Sequence, residues 1–293
     1  MSRYLCFSSH NSLVNCLYIP SKFIAFVITT CVHWFIIYLR QMELGFKYQI
    51  SLVCVLLLFP VLCNCKEYYA KSRASYYGTS DGYGNSRGAC GFGDYGKIVN
   101  DGSVAAVSAK LWKNGGGCGA CYQVRCKIPQ YCDDNGAYVV VTDYGEGDRT
   151  DFILSPRAFS RLGRSAVTSE KLKKYGVLDV EYKRVPCTFK GNNIVYQINE
   201  NSRNPGYFSI NILYVGGTYD VTAVEIWQKQ QHQWEAMRRS YGAVFDFANP
   251  PEGEIRLKFQ VSSNVGSNWV VSRFTIPAGW KAGATYSTKI QPY

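Results

Sequence analysis

Closely spaced cysteines constrain this chain more than any other feature of its sequence. Cys118, Cys121 and Cys126 lie in the glycine-rich stretch 115–126, and an alternating, strand-like segment begins within it at Ala120. A Cys-x-x-Cys spacing is compatible with a metal site or a thiol-redox site. It is also compatible with the disulfide framework of an exported domain. The rest of the sequence distinguishes between these interpretations.

The first 65 residues are unlike the remainder of the chain. An apolar run at 23–39 is close to the minimum length for a membrane-spanning helix. A second run at 50–62 follows Met42 and has the length and the basic flank of a signal-peptide core. We predict an N-terminal extension of undetermined status at 1–41, a signal peptide at 42–65, and secretion of the remainder. A membrane-anchored form is the alternative.

The cysteine count agrees with cleavage near Lys66. Six of the twelve cysteines precede this residue, and an even set of six follows it. In an exported chain such a set predicts disulfide bonds, whose pairing the spacing leaves open. The single histidine after Lys66 is His232, which leaves no histidine pair for zinc and lies in a polar, turn-like segment unsuited to catalysis. We predict no metal and no cofactor. The six cysteines are Cys90, Cys118, Cys121, Cys126, Cys132 and Cys187.

Composition limits the possible partners. The chain has a formal charge of +11, and about +8 remains once residues 1–65 are removed. A basic secreted chain suits an acidic matrix, and export argues against nucleic acid as a partner. Aromatic residues make up 15% of the chain, which suits extended binding faces as well as cores. The G-x-G-x-x-G match at 91–96 follows no predicted strand and opens no predicted helix, so we interpret it as a tight loop rather than a nucleotide site.

Residues 66–187 combine short strands, few helices and many glycines, a pattern typical of a small closed β-barrel. One predicted helix begins at Ser155-Pro156 and ends near Leu162. Another begins with Thr168 or Ser169 as its cap and ends at Tyr175. The predicted strands are Ala74–Tyr77, Ala120–Lys127, Tyr138–Asp143, Phe152–Leu154 and Val177–Val185.

Residues 188–293 contain no cysteine, so we place a domain boundary after Cys187. Several runs alternate apolar and polar residues, which predicts strands with one buried face. Gly216-Gly217 predicts a hairpin turn between two of them. Their number and spacing indicate an antiparallel β-sandwich. The runs are Ile194–Ile198, Tyr207–Val215, Tyr219–Trp227, Glu254–Val261 and Trp269–Ile276.

Short motifs form an ordered series through residues 68–293. They are Ala74–Gly78, Gly88–Gly93, Gly117–Tyr122, Val141–Asp143, Phe152–Ser155, Val180–Cys187, Asn204–Tyr207 and Ser240–Phe245. In this order they resemble the plant expansin family, and most of all its expansin-like B subgroup. The family pattern begins with a signal peptide where Met42 stands, so residues 1–41 lie outside the resemblance.

The resemblance implies a mainly β protein. A six-stranded double-psi β-barrel related to family 45 endoglucanases would occupy 66–187, and an antiparallel β-sandwich of the cellulose-binding type would occupy 188–293. The resemblance also implies a non-enzymatic wall protein, because expansins loosen plant cell walls by disturbing non-covalent contacts between cellulose and matrix glycans. We expect a secreted monomer whose partners are cell-wall polysaccharides. The implied disulfides are Cys90–Cys118, Cys121–Cys187 and Cys126–Cys132.

The barrel groove of the family has characteristic polar positions. Ser75 stands at a threonine position and keeps the hydroxyl, Tyr77 matches an aromatic residue, and Asp143 matches the first aspartate. Ile153 replaces the second aspartate, while Asp151 stands two residues earlier on the same strand face. An inverting glycosidase needs an acid and a base about 6.5–9.5 Å apart. We therefore expect a groove that binds glycan without cleaving it. The alternatives are a working pair of Asp143 with Asp151, and an Asp143 that only caps local N–H groups.

In the second domain, Tyr207 and Tyr241 stand where the family has aromatic residues of its polysaccharide-binding face. Flat rings suit an extended, uncharged polymer, and tryptophan is common at the position of Tyr241. For the additional tryptophans Trp227, Trp234, Trp269 and Trp280, core packing is a more frequent role than ligand contact. Two rival functions remain, a family 45-type glycoside hydrolase and a structural or defence-type barrel protein.

Overall fold

The structure is a computed structural model that describes residues 3–7, 15–19, 68–189 and 191–291. The chain divides into two units, 1–68 and 69–293. In the first unit, strands β1 (Arg3–Phe7) and β2 (Asn15–Ile19) pair antiparallel. The predicted signal peptide and the first apolar run lie outside the described residues. No helix within the described residues is long and apolar enough to span a membrane.

Six strands of the second unit close into a barrel. They are β3 (Ala70–Tyr76), β4 (Val104–Val107), β5 (Cys121–Cys126), β6 (Ala137–Tyr144), β7 (Thr150–Leu154) and β8 (Leu178–Arg184). Around the barrel their order is β3-β7-β4-β6-β5-β8. Strands β3 and β7 pair in parallel, as do β4 and β6, while the other neighbours are antiparallel. Alternate residues such as Val107, Val141 and Phe152 are fully buried and fill the barrel. The predicted barrel is confirmed.

Strand β4 has no clear signal in the sequence. Its four residues are all buried, so no alternation marks it. Short apolar runs do not distinguish a buried strand from a buried helix, and its two alanines favour helix. This strand lies between β6 and β7 and therefore sets the spacing between Asp143 and Ile153.

Short helices connect the barrel strands. They are α1 (Asp94–Ile98), α2 (Ala109–Trp112), α3 (Pro156–Ser160) and α4 (Ala166–Lys173), with 3₁₀ turns at Val99–Gly102 and Lys113–Gly115. Helix α3 begins as predicted, with the Oγ of Ser155 accepting a hydrogen bond from Ala158 N at 3.1 Å. The predicted cap of α4 is wrong because Ser165 precedes the helix and forms a reciprocal capping box with Thr168. The 91–96 motif also differs from its prediction, since α1 opens inside it at Asp94.

The remaining strands form two antiparallel sheets. They are β9 (Val195–Ile198), β10 (Tyr207–Leu213), β11 (Asp220–Gln228), β12 (Gln233–Ala236), β13 (Arg238–Tyr241), β14 (Val244–Ala248), β15 (Ile255–Ser263), β16 (Gly266–Ile276) and β17 (Thr285–Ser287). The five-stranded sheet has the order β13-β14-β10-β9-β17, and the four-stranded sheet has the order β12-β11-β15-β16. Between them lies a core that includes Tyr196, Phe208, Phe259 and Trp280. The predicted sandwich is confirmed.

The predicted hairpin turn at Gly216-Gly217 is wrong. Strand β10 belongs to the five-stranded sheet and β11 to the four-stranded sheet, so the segment between them crosses the sandwich. Gly217 N donates a hydrogen bond to Cys187 O at 3.0 Å, and Cys187 N donates to Gly217 O at 2.8 Å. Alternation along a strand identifies its buried face but not the sheet in which it pairs.

The cysteine-rich stretch is the point at which the barrel is cross-linked. Disulfide bonds join Cys90 to Cys118, Cys121 to Cys187 and Cys126 to Cys132. These are the pairs that the family resemblance implies. Among the described residues, no group of His, Cys, Asp and Glu side chains is arranged to hold a metal ion.

Candidate functional site

A row of residues crosses four neighbouring strands of the barrel. Ser75 of β3 pairs with Ile153 of β7, Ile153 pairs with Ala106 of β4, and Ala106 pairs with Asp143 of β6. Residues directly opposite one another on neighbouring strands point to the same face of a sheet. The structure therefore brings Ser75, Ile153 and Asp143 onto one face, with a small alanine between the isoleucine and the aspartate.

Hydrogen bonds from its own surroundings hold Asp143. Its Oδ1 accepts from Ala89 N at 2.6 Å and from Tyr144 N at 2.8 Å. Its Oδ2 accepts from Asn85 Nδ2 at 3.3 Å. Gly88 allows this loop to approach, because a Cβ there would lie 3.2 Å from Asp143 Cγ and 2.6 Å from Thr142 O. The side chain thus orders the loop around Ala89, as the capping alternative predicted, while remaining half-buried.

Tyr77 lies beside this carboxylate. Its hydroxyl is buried and finds no hydrogen-bond partner within the described part of the chain. Burial, followed by the charge of Asp143, raises the pKa of Tyr77 well above its usual range. The phenol therefore keeps its proton beside the carboxylate.

Asp151 lies further along β7, on the same face as Ile153. Asp151 is two strands from Asp143 across the barrel and two residues from it along the strand. With a strand spacing of about 4.8 Å and a rise of about 3.3 Å per residue, their Cα atoms are about 12 Å apart. The Oδ1 of Asp151 accepts a hydrogen bond from Ser108 Oγ at 2.6 Å. Burial raises the pKa of Tyr182, and the charge of Asp151 adds to this, although a hydrogen bond from Lys110 opposes it. Asp151 therefore belongs to a polar cluster separate from the contacts of Asp143.

Two aromatic residues near Asp143 were not singled out from the sequence. Tyr144 follows Asp143 directly and is 43% exposed. Its ring centroid lies 5.6 Å from that of Trp112, which ends α2. A hydrogen bond to Glu146 raises the pKa of Tyr144. Tyr144 could have been singled out from the sequence because it directly follows a candidate acid. No local sequence feature connects Trp112 with Asp143.

In the sandwich, Tyr207 begins β10 and forms part of a hydrogen-bonded triad. Its Oη donates to Asp246 Oδ2 at 2.8 Å. Arg238 donates to the same carboxylate through Nε at 2.9 Å and Nη2 at 2.6 Å. Burial and Asp246 together raise the pKa of Tyr207, while Arg238 and Tyr207 lower that of Asp246 despite its burial. The ring of Tyr207 is therefore held in one orientation on the five-stranded sheet.

Tyr241 lies at the junction of the barrel and the sandwich. It is 48% exposed, and a Cβ placed on Gly91 would lie 2.7 Å from its Cε2. Nearby, Ala243 N donates to Cys90 O at 3.0 Å, and Asn211 Nδ2 donates to Gly91 O at 2.7 Å. The barrel loop that contacts Tyr241 is the one that holds Asp143. The two sets of candidate residues therefore adjoin one another.

Known protein families match both halves of this architecture. A model described as the expansin C-terminal domain matches residues 194–277, and one described as lytic transglycolase matches residues 104–182. Expansin-like B1 of Arabidopsis thaliana is 52% identical over 238 residues, which cover 81% of this chain and 94% of that protein.

The chain belongs to the expansin-like B family. Expansin-like B1 of Oryza sativa subsp. japonica is 40% identical over 246 residues, covering 83% of this chain and 96% of that protein. Expansin-like A3 of Arabidopsis thaliana is 37% identical over 82% of this chain and 91% of its own length. The closed barrel is accordingly the double-psi β-barrel of expansins, and the sandwich is their C-terminal domain.

Solved structures of a bacterial expansin show the same fold. The apo expansin of Clavibacter michiganensis matches with a TM-score of 0.58 at 20% identity, covering 76% of this chain and 98% of that one. A point mutant of that expansin, solved in complex with cellohexaose, matches with the same TM-score and coverage. This chain therefore shares its fold with the expansin of Clavibacter michiganensis.

Proposed function

We propose that this expansin-like B protein binds cellulose and matrix glycans of the plant cell wall along one continuous surface and loosens the wall without hydrolysis. The surface, here called the glycan face, consists of Ser75, Tyr77, Asp143, Tyr241 and Tyr207. The observation that carries the proposal is the row Ser75–Ile153–Ala106–Asp143, because it puts an aliphatic side chain where hydrolysis would need a second carboxyl group.

The chemistry of the glycan face favours neutral polymers. Tyr241 and Tyr207 offer flat rings, and Ser75 and Asp143 supply polar groups. Such a combination of aromatic rings and few polar side chains is typical of sugar sites. The cellohexaose bound to the bacterial expansin supports a β-glucan as ligand.

The barrel geometry supports non-hydrolytic action. Asp143 and Asp151 are two strands and two residues apart on the barrel, with about 12 Å between their Cα atoms. Each carboxylate also has its own donors, Ala89 N for Asp143 and Ser108 Oγ for Asp151. We infer that neither acid activates water at a glycosidic bond.

We further infer a secreted protein that acts as a monomer in the wall. The signal peptide at 42–65 would direct export, leaving the barrel domain at 66–187 and the sandwich domain at 188–293. Three disulfide bonds suit an oxidising compartment, and the excess of basic residues suits an acidic matrix. Sequencing the N-terminus of the exported protein tests the cleavage point near Lys66.

Binding to microcrystalline cellulose tests the glycan face. We expect Tyr241→Ala to lower the affinity about tenfold, because removing an exposed ring removes its stacking surface. Tyr175→Ala is the matched control, since Tyr175 is 56% exposed and is not one of the residues of the glycan face. Equal affinities for both variants and wild type, or no cellulose binding of wild type at low or high salt, would contradict the proposal.

A parallel assay separates loosening from hydrolysis. Wild-type protein should extend acid-treated wall strips under load and release no new reducing ends from soluble β-glucan. Asp143→Asn should reduce extension. Reducing ends that disappear in Asp143→Asn or Asp151→Asn would instead identify a glycoside hydrolase. Wall binding that survives loss of both Tyr207 and Tyr241 rings would favour a structural role.

A further inference from the structure

The four-stranded sheet presents three tryptophans on its outer face. Trp227 of β11 pairs directly with Trp234 of β12, and Trp269 of β16 pairs with Gln260 of β15. The residues between them along the strands, such as Ile226 and Phe259, are fully buried against the core. Trp227, Trp234 and Trp269 consequently point away from the core, contrary to the core packing expected of such residues. Trp280 is 3% exposed and does lie in the core.

Basic side chains lie among these rings. The Lys258 ammonium is 5.0 Å from the ring centroid of Trp234 and 4.5 Å from that of Trp269. The Arg256 guanidinium is 5.9 Å from the ring of Trp227. The rings of Trp227 and Trp234 are 5.3 Å apart. Cation–π attraction holds the lysine at the centre of the face. These three tryptophans with Arg256 and Lys258 are here called the tryptophan face.

The tryptophan face is accessible and carries excess positive charge. Trp269 is 41% exposed, and Val271 beside it is 51% exposed. Glu225 is on the same face and is paired with Lys258, with Nζ to Oε2 at 2.7 Å. Arg256 and Arg273 are exposed on β15 and β16. Apart from the Glu225–Lys258 ion pair, the guanidinium groups of Arg256 and Arg273 remain available to bind an anionic partner.

We propose that the tryptophan face is a second carbohydrate site that binds a polyuronate, a chain of sugars bearing carboxylates. Tryptophan rings stack on sugar faces, and guanidinium groups bind carboxylates with paired hydrogen bonds. The glycan face, by contrast, has its sandwich aromatics on the five-stranded sheet, on the other side of the core. The two sites can therefore be occupied by different polymers at once.

The charge distribution distinguishes this ligand from a neutral glucan. On the glycan face, the Arg238 guanidinium is already bonded to the Asp246 carboxylate. On the tryptophan face, Arg256 and Arg273 are exposed and form no ion pair among the described residues, so both can pair with ligand carboxylates. A neutral polymer gains stacking and hydroxyl hydrogen bonds there, but no charge attraction to these arginines.

Affinity electrophoresis in gels containing de-esterified polygalacturonate tests the proposal. We expect Trp234→Ala and Trp269→Ala each to weaken retardation about tenfold. Trp234→Phe keeps an aromatic ring, so it should weaken retardation less than Trp234→Ala does. Arg256→Gln should weaken binding more than Lys281→Gln, a matched loss of one exposed positive charge outside this sheet. All variants should keep wild-type cellulose binding, which makes the result independent of the glycan face.

Several outcomes would overturn the proposal. One is a wild-type protein that polygalacturonate does not retard. Another is an equal effect of Arg256→Gln and Lys281→Gln with no effect of the tryptophan variants, because net charge alone would then explain binding. A third is a parallel loss of cellulose binding in the folded Trp234→Phe variant, because the two faces would then form a single site.

Discussion

At the scale of single residues, two tyrosine hydroxyls of the glycan face have opposite surroundings. The Tyr77 hydroxyl is buried without a partner among the described residues, and the Tyr207 hydroxyl donates to Asp246. A buried polar group without a partner destabilises the folded protein, whereas a hydrogen bond to a carboxylate stabilises it. The Tyr77 hydroxyl is therefore a group retained at a cost to the folded protein, which is typical of functional positions.

We accordingly predict opposite stability changes for two identical substitutions. Tyr77→Phe should leave the free energy of unfolding unchanged or raise it by up to about 1 kcal/mol, and should reduce wall extension. Tyr207→Phe should lower the free energy of unfolding by about 1 kcal/mol, because the Asp246 carboxylate loses a hydrogen-bond donor. Urea unfolding followed by tryptophan fluorescence measures both. A destabilised Tyr77→Phe variant would show that its hydroxyl is satisfied in the folded state.

At the scale of elements, glycines determine how closely the β13–β14 turn approaches the barrel. Gly242 has a φ of 46°, and a Cβ there would lie 2.2 Å from Ala89 O. A Cβ on Gly115 would lie 2.2 Å from Gly242 O. Such backbone contact leaves no room for side chains. The same turn positions Tyr241, so packing of the two domains and geometry of the glycan face depend on these residues together.

Gly242→Ala should therefore lower the free energy of unfolding by more than backbone strain alone would. We expect a loss of about 3 kcal/mol in the free energy of unfolding, together with weaker cellulose binding as Tyr241 moves. Gly253→Ala is the control, because Gly253 also has a positive φ, 89°, but no atom within 4 Å of its Cβ position. That variant should lose about 1 kcal/mol and bind cellulose normally. Equal losses would mean that backbone strain, not domain contact, determines the cost.

At the scale of the whole molecule, barrel and sandwich form one compact unit. Leu213 of β10 is buried within the core cluster of the barrel. Asp220 of β11 pairs with Arg184 and with Lys113 of the barrel, each at 2.9 Å. The Cys121–Cys187 disulfide links β5 to the segment that pairs with Gly217. The domains are thus joined by apolar, ionic and covalent contacts.

Removing this disulfide should destabilise the protein more than removing the local one. Replacing Cys121 and Cys187 by serine opens a loop with a sequence separation of 66, against 6 for Cys126 and Cys132. Chain entropy gives about 4 kcal/mol for the first and about 2 kcal/mol for the second. The four cysteines are similarly buried, at 5–8% exposure, so the pairs are matched. Indistinguishable urea midpoints would argue against loop entropy as the cause.

Some features of this protein follow from its sequence alone. The even set of six cysteines after Lys66 predicts disulfide bonds, and alternation predicts most sandwich strands. The ordered motifs identify the family, and the family predicts the barrel. The start of the helix at Ser155-Pro156 is predicted from the local sequence. These signals are readable because they depend on residues that are neighbours in the chain.

Other features were decided only by the tertiary structure. Strand β4 is short and wholly buried, so only its pairing with β6 and β7 reveals the row that joins Ile153 to Asp143. The sheet in which a strand pairs depends on contacts distant in sequence, which is why Gly216-Gly217 is a crossing and not a hairpin. For the same reason the outward direction of Trp227, Trp234 and Trp269 emerges only from strand register, because register assigns each side chain to the core or to the surface.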